Sequence, residues 1–89
     1  NIDNKKFSIY LRLDVQDKHG ILSDVTKIMA KNKVSVKRLI QNPTINKKNA
    51  SIVIITHEAK SSSLTRVLSI LQKKKYIVNK PKMIRIENI

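Results

Sequence analysis

The stretch Phe7-Ser8-Ile9-Tyr10-Leu11-Arg12-Leu13-Asp14-Val15, the break Gln16-Asp17-Lys18-His19-Gly20, and the run opened by Ile21-Leu22-Ser23-Asp24-Val25 decide the fold between them. From Phe7 to Val15 every second residue is apolar, which is the period of a strand with one buried face. The polar break holds the only glycine in the chain. After it the period changes: Ile21, Leu22, Val25, Ile28 and Met29 fall on one stripe of a helix that runs to about Asn32. A strand that hands over to a helix through a short loop is one half of a split βαβ unit.

Working outward, Val34 to about Gln41 reads as a second strand, and the polar run from Asn42 to Asn49 as a hairpin connection. Ala50 to Thr56 is a third strand. Lys60 to about Lys74 carries Leu64, Val67, Leu68 and Leu71 at helical spacing, with Ser61, Ser62 and Ser63 at its start as capping candidates. A last strand spans Tyr76 to Glu87, interrupted near Pro81. The order β-α-β-β-α-β predicts a ferredoxin-like α+β two-layer sandwich, with two helices on one face of a four-stranded antiparallel sheet. With no linker or repeat to divide it, residues 1–89 form one domain with a core of about 7–87. Ile52-Val53-Ile54-Ile55 is apolar at every position, one face more than a two-layer domain needs. Either lysine stems cover the surplus face, or a second copy of the domain does.

Composition limits the function. Hydrophobic residues at 40% are enough for a core, and the absence of cysteine removes disulfides and thiolate metal sites. No apolar run approaches a membrane span, the N-terminus lacks an apolar signal core, and a chain that starts without methionine reads as a piece of something larger; a cytoplasmic location is expected. The net charge of +13 is the footprint of a nucleic-acid binder. Yet lysine supplies nearly all of it, and lysine, asparagine and isoleucine are what an AT-rich genome over-supplies. Arginine, whose planar fork suits phosphate and bases, is scarce. RNA-binding modules of this fold stack bases on aromatic residues of the central strands, and the third strand here has none. No specific nucleic-acid partner is expected.

Catalytic groups do not converge. His19 follows the first strand and His57 the third, so antiparallel pairing puts them at opposite edges of the sheet, with no shared metal. The serines at 61–63 have no base placed for them. A single glycine excludes a Gly-rich phosphate loop or dinucleotide fingerprint, and Lys73-Lys74-Lys75 reads as the cationic end of a helix. What remains is the loop Asp17-Lys18-His19-Gly20-Ile21-Leu22. A strand-to-helix junction offers free backbone N–H groups and the positive end of the helix dipole, a setting that suits a small carboxylate. Gly20 either lets a ligand approach the backbone or merely permits a tight turn.

Asp17-x-x-Gly20-Ile21-Leu22 after a strand, then a helix, then Val34-Ser35-Val36, resembles the opening half of an ACT domain. Tyr10-Leu11-Arg12-Leu13-Asp14-Val15, Leu39-Ile40-Gln41, the run Ile52 to Ala59 and the ending Ile84-Arg85-Ile86-Glu87 resemble more particularly the C-terminal ACT domain of bacterial homoserine dehydrogenases. The family usually has proline where His19 stands and often glycine where Lys33 stands. The resemblance implies a regulatory domain with no catalytic residues and no cofactor of its own, NAD(P) belonging to an upstream catalytic portion. It implies a homodimer, and an amino acid, threonine first, bound between the first loop of one copy and the second strand of the other. Carried onto this chain, the site is Asp17, Lys18, His19, Gly20, Ile21 and Leu22 facing Ser35 and Val36.

Overall fold

The computed structural model describes residues 5–16, 19–43 and 49–86. Its elements are β1 (Lys6–Gln16), α1 (Ile21–Lys31), β2 (Val36–Pro43), β3 (Asn49–Thr56), the two-residue β4 (Ala59–Lys60), α2 (Ser61–Gln72) and β5 (Lys82–Ile86). β1 is central, antiparallel to β3 on one side and to β5 on the other, and β2 lies outside β3. The expected sandwich is therefore present, with β4 as an addition. Tyr10 faces Ile55 and Phe7 faces Ala59, so β4 continues the line of β3 after a bulge at His57-Glu58 that absorbs one extra residue.

Alternation in β1 sorts its side chains as the sequence predicts. Ile9, Leu11, Leu13 and Val15 are buried, and Ala50, Ile52, Ile54 and Thr56 of β3 join them on the same face. The helices close this layer with Ile21, Val25, Ile28 and Met29 from α1 and Leu64, Val67 and Leu71 from α2. At the bulge the Ile9 N–H is bonded by the buried Thr56 hydroxyl oxygen at 3.1 Å, which keeps that buried donor satisfied.

The other face carries no helix. There Tyr10 stands beside Ile55 and Ile84, and Val53 beside Ile40 and Arg12. Ile40 is 40% exposed and Ile84 60% exposed. Among the described residues no helix covers this face of β3, on which Val53 and Ile55 are half-buried.

Two local expectations are corrected. The serines do not cap α2: its N-cap is Lys60, without a side-chain bond, and the serines lie inside the first turn, where Ser63 Oγ accepts instead from Arg66. The last strand is interrupted near Pro81 as expected, but before it only a single antiparallel bridge, Ile77 to Val15, is strand-like. Residues 73–79 form a turn tied to β1 by Gln16 N–H to Tyr76 O and Val78 N–H to Asp14 O, and regular pairing resumes only after Pro81, which has no N–H to donate. The expected hairpin at 42–49 lies partly outside the described residues; Asn42 and Pro43 belong to β2 and Asn49 to β3.

α1 ends in a Schellman motif, with Val34 N–H to Met29 O and Lys33 N–H to Ala30 O. Its left-handed residue is Lys33, at φ 63°, where glycine would sit without strain.

Candidate functional site

The loop between β1 and α1 is built around Gly20, the N-cap of α1 at φ 83°. Nothing lies within 4 Å of where a Cβ would stand, so it is the backbone angle, not crowding, that calls for glycine here. Asp24 N–H bonds to Gly20 O at 2.9 Å and closes the first helical turn. Among the described residues no side chain caps the turn, whose leading N–H groups lie at the positive end of the helix. His19 and Gly20 are exposed. Ile21 is buried in the core and Leu22 packs against it, so these two offer the site backbone rather than side chain. Asp17 and Lys18 lie outside the described residues.

Beside this turn sits a polar arrangement that sequence reasoning missed. The Tyr76 hydroxyl donates to Asp24 Oδ2 at 2.7 Å, and Lys74 Nζ lies 3.6 Å from the same oxygen. The tyrosine hydrogen bond, helped by the Lys74 charge, holds the Asp24 carboxyl below its ordinary range despite some desolvation. Partial burial and the neighbouring carboxylate push the Tyr76 phenol well above its ordinary value. The partners are 52 positions apart, so no local spacing announces them.

Ser35 and Val36 stand elsewhere. Val36 pairs with Thr56, at the end of β3 that lies level with Ile9, whereas Gly20 follows the far end of β1, where Gln16 pairs with Asn49. At about 3.3 Å per residue the two groups are separated by on the order of 20 Å along the strands. One copy therefore does not bring them together. Ser35 is exposed, with its carbonyl taking the His57 N–H at 2.9 Å, and Val36 is half-buried. His19 and His57 likewise fall at opposite ends of the antiparallel β1–β3 pair. Among the described residues no group of three or more His, Cys, Asp or Glu is placed to hold a metal, and no helix is long and apolar enough to cross a membrane.

Fold and loop together define a two-layer βαββαβ domain whose exposed feature is a strand-to-helix turn rather than a catalytic cluster. The family model for the ACT domain matches residues 9–75, and the chain belongs to that family. It is 33% identical over 79 residues to a homoserine dehydrogenase of Helicobacter pylori, covering 89% of this chain and 19% of that protein. The crystal structure of a homoserine dehydrogenase from Thiobacillus denitrificans superposes with a TM-score of 0.85 at 23% identity, over 98% of this chain and 19% of that one. The ACT domain from a GTP pyrophosphokinase of Chlorobium tepidum gives 0.71 at 15% identity, over 90% of this chain and all of that one. The chain spans about a fifth of the length of the homoserine dehydrogenases it matches.

Proposed function

We propose that this chain is the regulatory ACT domain of a bacterial, cytoplasmic homoserine dehydrogenase, that it works as a pair, and that it senses L-threonine for feedback control. The similarity over nearly the whole chain to homoserine dehydrogenases supports the parent enzyme. The catalytic portion and its NAD(P) belong to the rest of such an enzyme; this domain takes no cofactor. In this reading the ligand carboxylate meets the backbone N–H groups of Gly20, Ile21 and Leu22, Asp17 takes the ammonium group, and Lys18 and His19 complete the loop. Ser35 and Val36 come from the other copy.

The observation that carries the paired site is the separation of Gly20 from Ser35 and Val36 within one chain. β1 and β2 run in the same direction on either side of β3, so a two-fold axis across the sheet direction brings the end of β1 in one copy toward the start of β2 in the other. The apolar face formed by half-buried Tyr10, Val53 and Ile55 with exposed Ile40 and Ile84 supports pairing independently. A ligand at such a seam acts by favouring one arrangement of the attached catalytic portions over another.

The test is thermal unfolding at fixed protein concentration, with and without each L-amino acid. Threonine at about a hundred times its dissociation constant stabilises by roughly 2.7 kcal/mol, a rise on the order of 10 °C for a domain of this size. Gly20→Trp removes the rise while the circular dichroism spectrum stays that of the parent chain. No shift with any amino acid overturns the sensing role and leaves an assembly module.

A further inference from the structure

At the end of the molecule opposite Gly20, the C-terminal end of α1, β4 and the first turn of α2 enclose a cleft of about 380 Å³. Five cations line it: Lys6, Lys31, Lys33, Lys60 and Arg66. Glu58 is the only carboxylate among the lining residues. The two ion pairs among the described residues, Arg12 with Asp14 and Lys74 with Asp24, lie elsewhere, and one carboxylate stands against the five cations of the cleft. Composition accounts for many lysines; it does not account for a hydrogen-bonded guanidinium among them.

Arg66 is that guanidinium. Its Nε donates to Asn32 Oδ1 and its Nη2 to Ser63 Oγ, both at 3.3 Å, and Asn32 is itself held by a bond from Nδ2 to Ile28 O at 2.8 Å. One bond to Asn32, just past the end of α1, and one back to Ser63 on its own helix orient the fork and leave its other N–H groups for a ligand. Ser63 is 4% exposed and lines the cleft. Its oxygen accepts from Arg66. The α2 turn behind it has neither a side-chain cap nor an acidic residue.

We propose that this cleft is a binding site for a phosphate group, free or carried by a small metabolite, with Arg66 as the oriented donor and Lys31, Lys33 and Lys60 as the neutralising charges. A tetrahedral dianion accepts from several directions at once and balances more charge than a carboxylate, which matches donors arriving from α1, β4 and α2 together. Within one chain the site lies at the end of the sheet opposite the Gly20 loop, and it stands whether or not that loop binds an amino acid. It gives the domain a second input at the other end of the sheet.

Inorganic phosphate is the probe, titrated into the 89-residue chain at constant ionic strength while the unfolding midpoint is followed. A saturable rise is expected, absent when chloride replaces phosphate. Arg66→Ala raises the half-saturation concentration about tenfold or more, the usual loss for a charge-assisted bond. Because Arg66 also links the helices, Lys33→Gly is the companion variant: it removes a charge while relieving the strained φ, keeps the fold, and weakens phosphate binding severalfold. Lys37→Ala, on β2 outside the cleft, leaves the titration unchanged. No saturable rise, or equal responses in all three variants, overturns the site in favour of general screening of a cationic surface. A DNA duplex that binds and is not displaced by phosphate also overturns it, in favour of nonspecific nucleic-acid binding.

Discussion

The two faces of the sheet are built from the same strands and obey different rules. On the covered face, Leu13 and Ile54 are fully buried among the side chains of α1 and α2, and the positions are apolar almost without exception. On the open face, β1 alternates to Ser8, Tyr10, Arg12 and Asp14, while β3 still presents Val53 and Ile55. A strand whose second face must meet only water reads like β1. The composition of β3 is that of a strand whose second face meets something apolar. The covered face therefore specifies the fold, and the open face is where the proposed pairing can be tested.

The largest effect is expected where the covered face is broken. Leu13→Ala should cost about 2–5 kcal/mol, because the site is enclosed on all sides and a cavity remains. Against a total stability of about 5–15 kcal/mol that is a large fraction, and the thermal midpoint should fall by 10–20 °C or more, on the order expected for so short a chain. A fall of only a few degrees would mean that the helices do not pack on this face as described.

Thr56→Val comes next. It keeps the volume of a covered-face position but removes the oxygen that accepts the Ile9 N–H at 3.1 Å. Leaving that buried donor unpaired costs about 1–3 kcal/mol, whereas Thr56→Ser should recover much of it by keeping the hydroxyl. Chemical denaturation of the three chains separates the outcomes, and equal stability of the valine and threonine chains would show that the bulge finds another acceptor.

The elements were legible in the sequence because each has a period the chain cannot hide. The strict alternation from Phe7 to Val15, its switch at Gly20, and the stripes Ile21 to Met29 and Leu64 to Leu71 all reappear in the fold. The apolar excess of Ile52 to Ile55 was legible for the same reason. The bulge at His57-Glu58, the Lys60 cap and the link from Arg66 to Asn32 were not, since they depend on which carbonyl or amide arrives from a distant segment. The loop site was legible as a backbone pattern only. Its distance from Ser35 and Val36 is a property of strand direction, which emerges once β3 is seen to lie between β1 and β2.

Tyr76→Phe probes where the layers are joined, since residues 76–79 are bonded to β1 while the phenol reaches α1. Losing a bond to a partly exposed carboxylate should cost about 1 kcal/mol near neutral pH. The pH dependence follows from the two shifts. Asp24 is depressed in the fold, so its contribution is complete above the ordinary value of 3.8 and is lost as pH falls. The Tyr76 phenol is raised, so its contribution is complete below the ordinary value of 10.0 and is lost as pH rises past it. The stability difference between the parent chain and Tyr76→Phe should therefore be flat from about pH 5 to 9 and decline on both sides. Equal stability of the two chains at every pH would mean that packing of the ring, which phenylalanine keeps, does the holding and the bond to Asp24 does not.

The smallest effect on folding sharpens the comparison most. Ile84→Lys places a charge on the open face at a residue 60% exposed in the single chain. A substitution at such a surface position changes monomer stability by no more than about 0.5 kcal/mol. If the open faces of two copies meet, the same lysine is buried opposite Tyr10 and its symmetry mate, where an unpaired charge is strongly unfavourable. Sedimentation velocity across a concentration series should then show a dimer for the parent chain and a monomer for Ile84→Lys, with superimposable circular dichroism spectra. Persistence of the dimer would move the seam to the edge of β2, which Val36 begins, and would leave the apolar content of β3 without a partner.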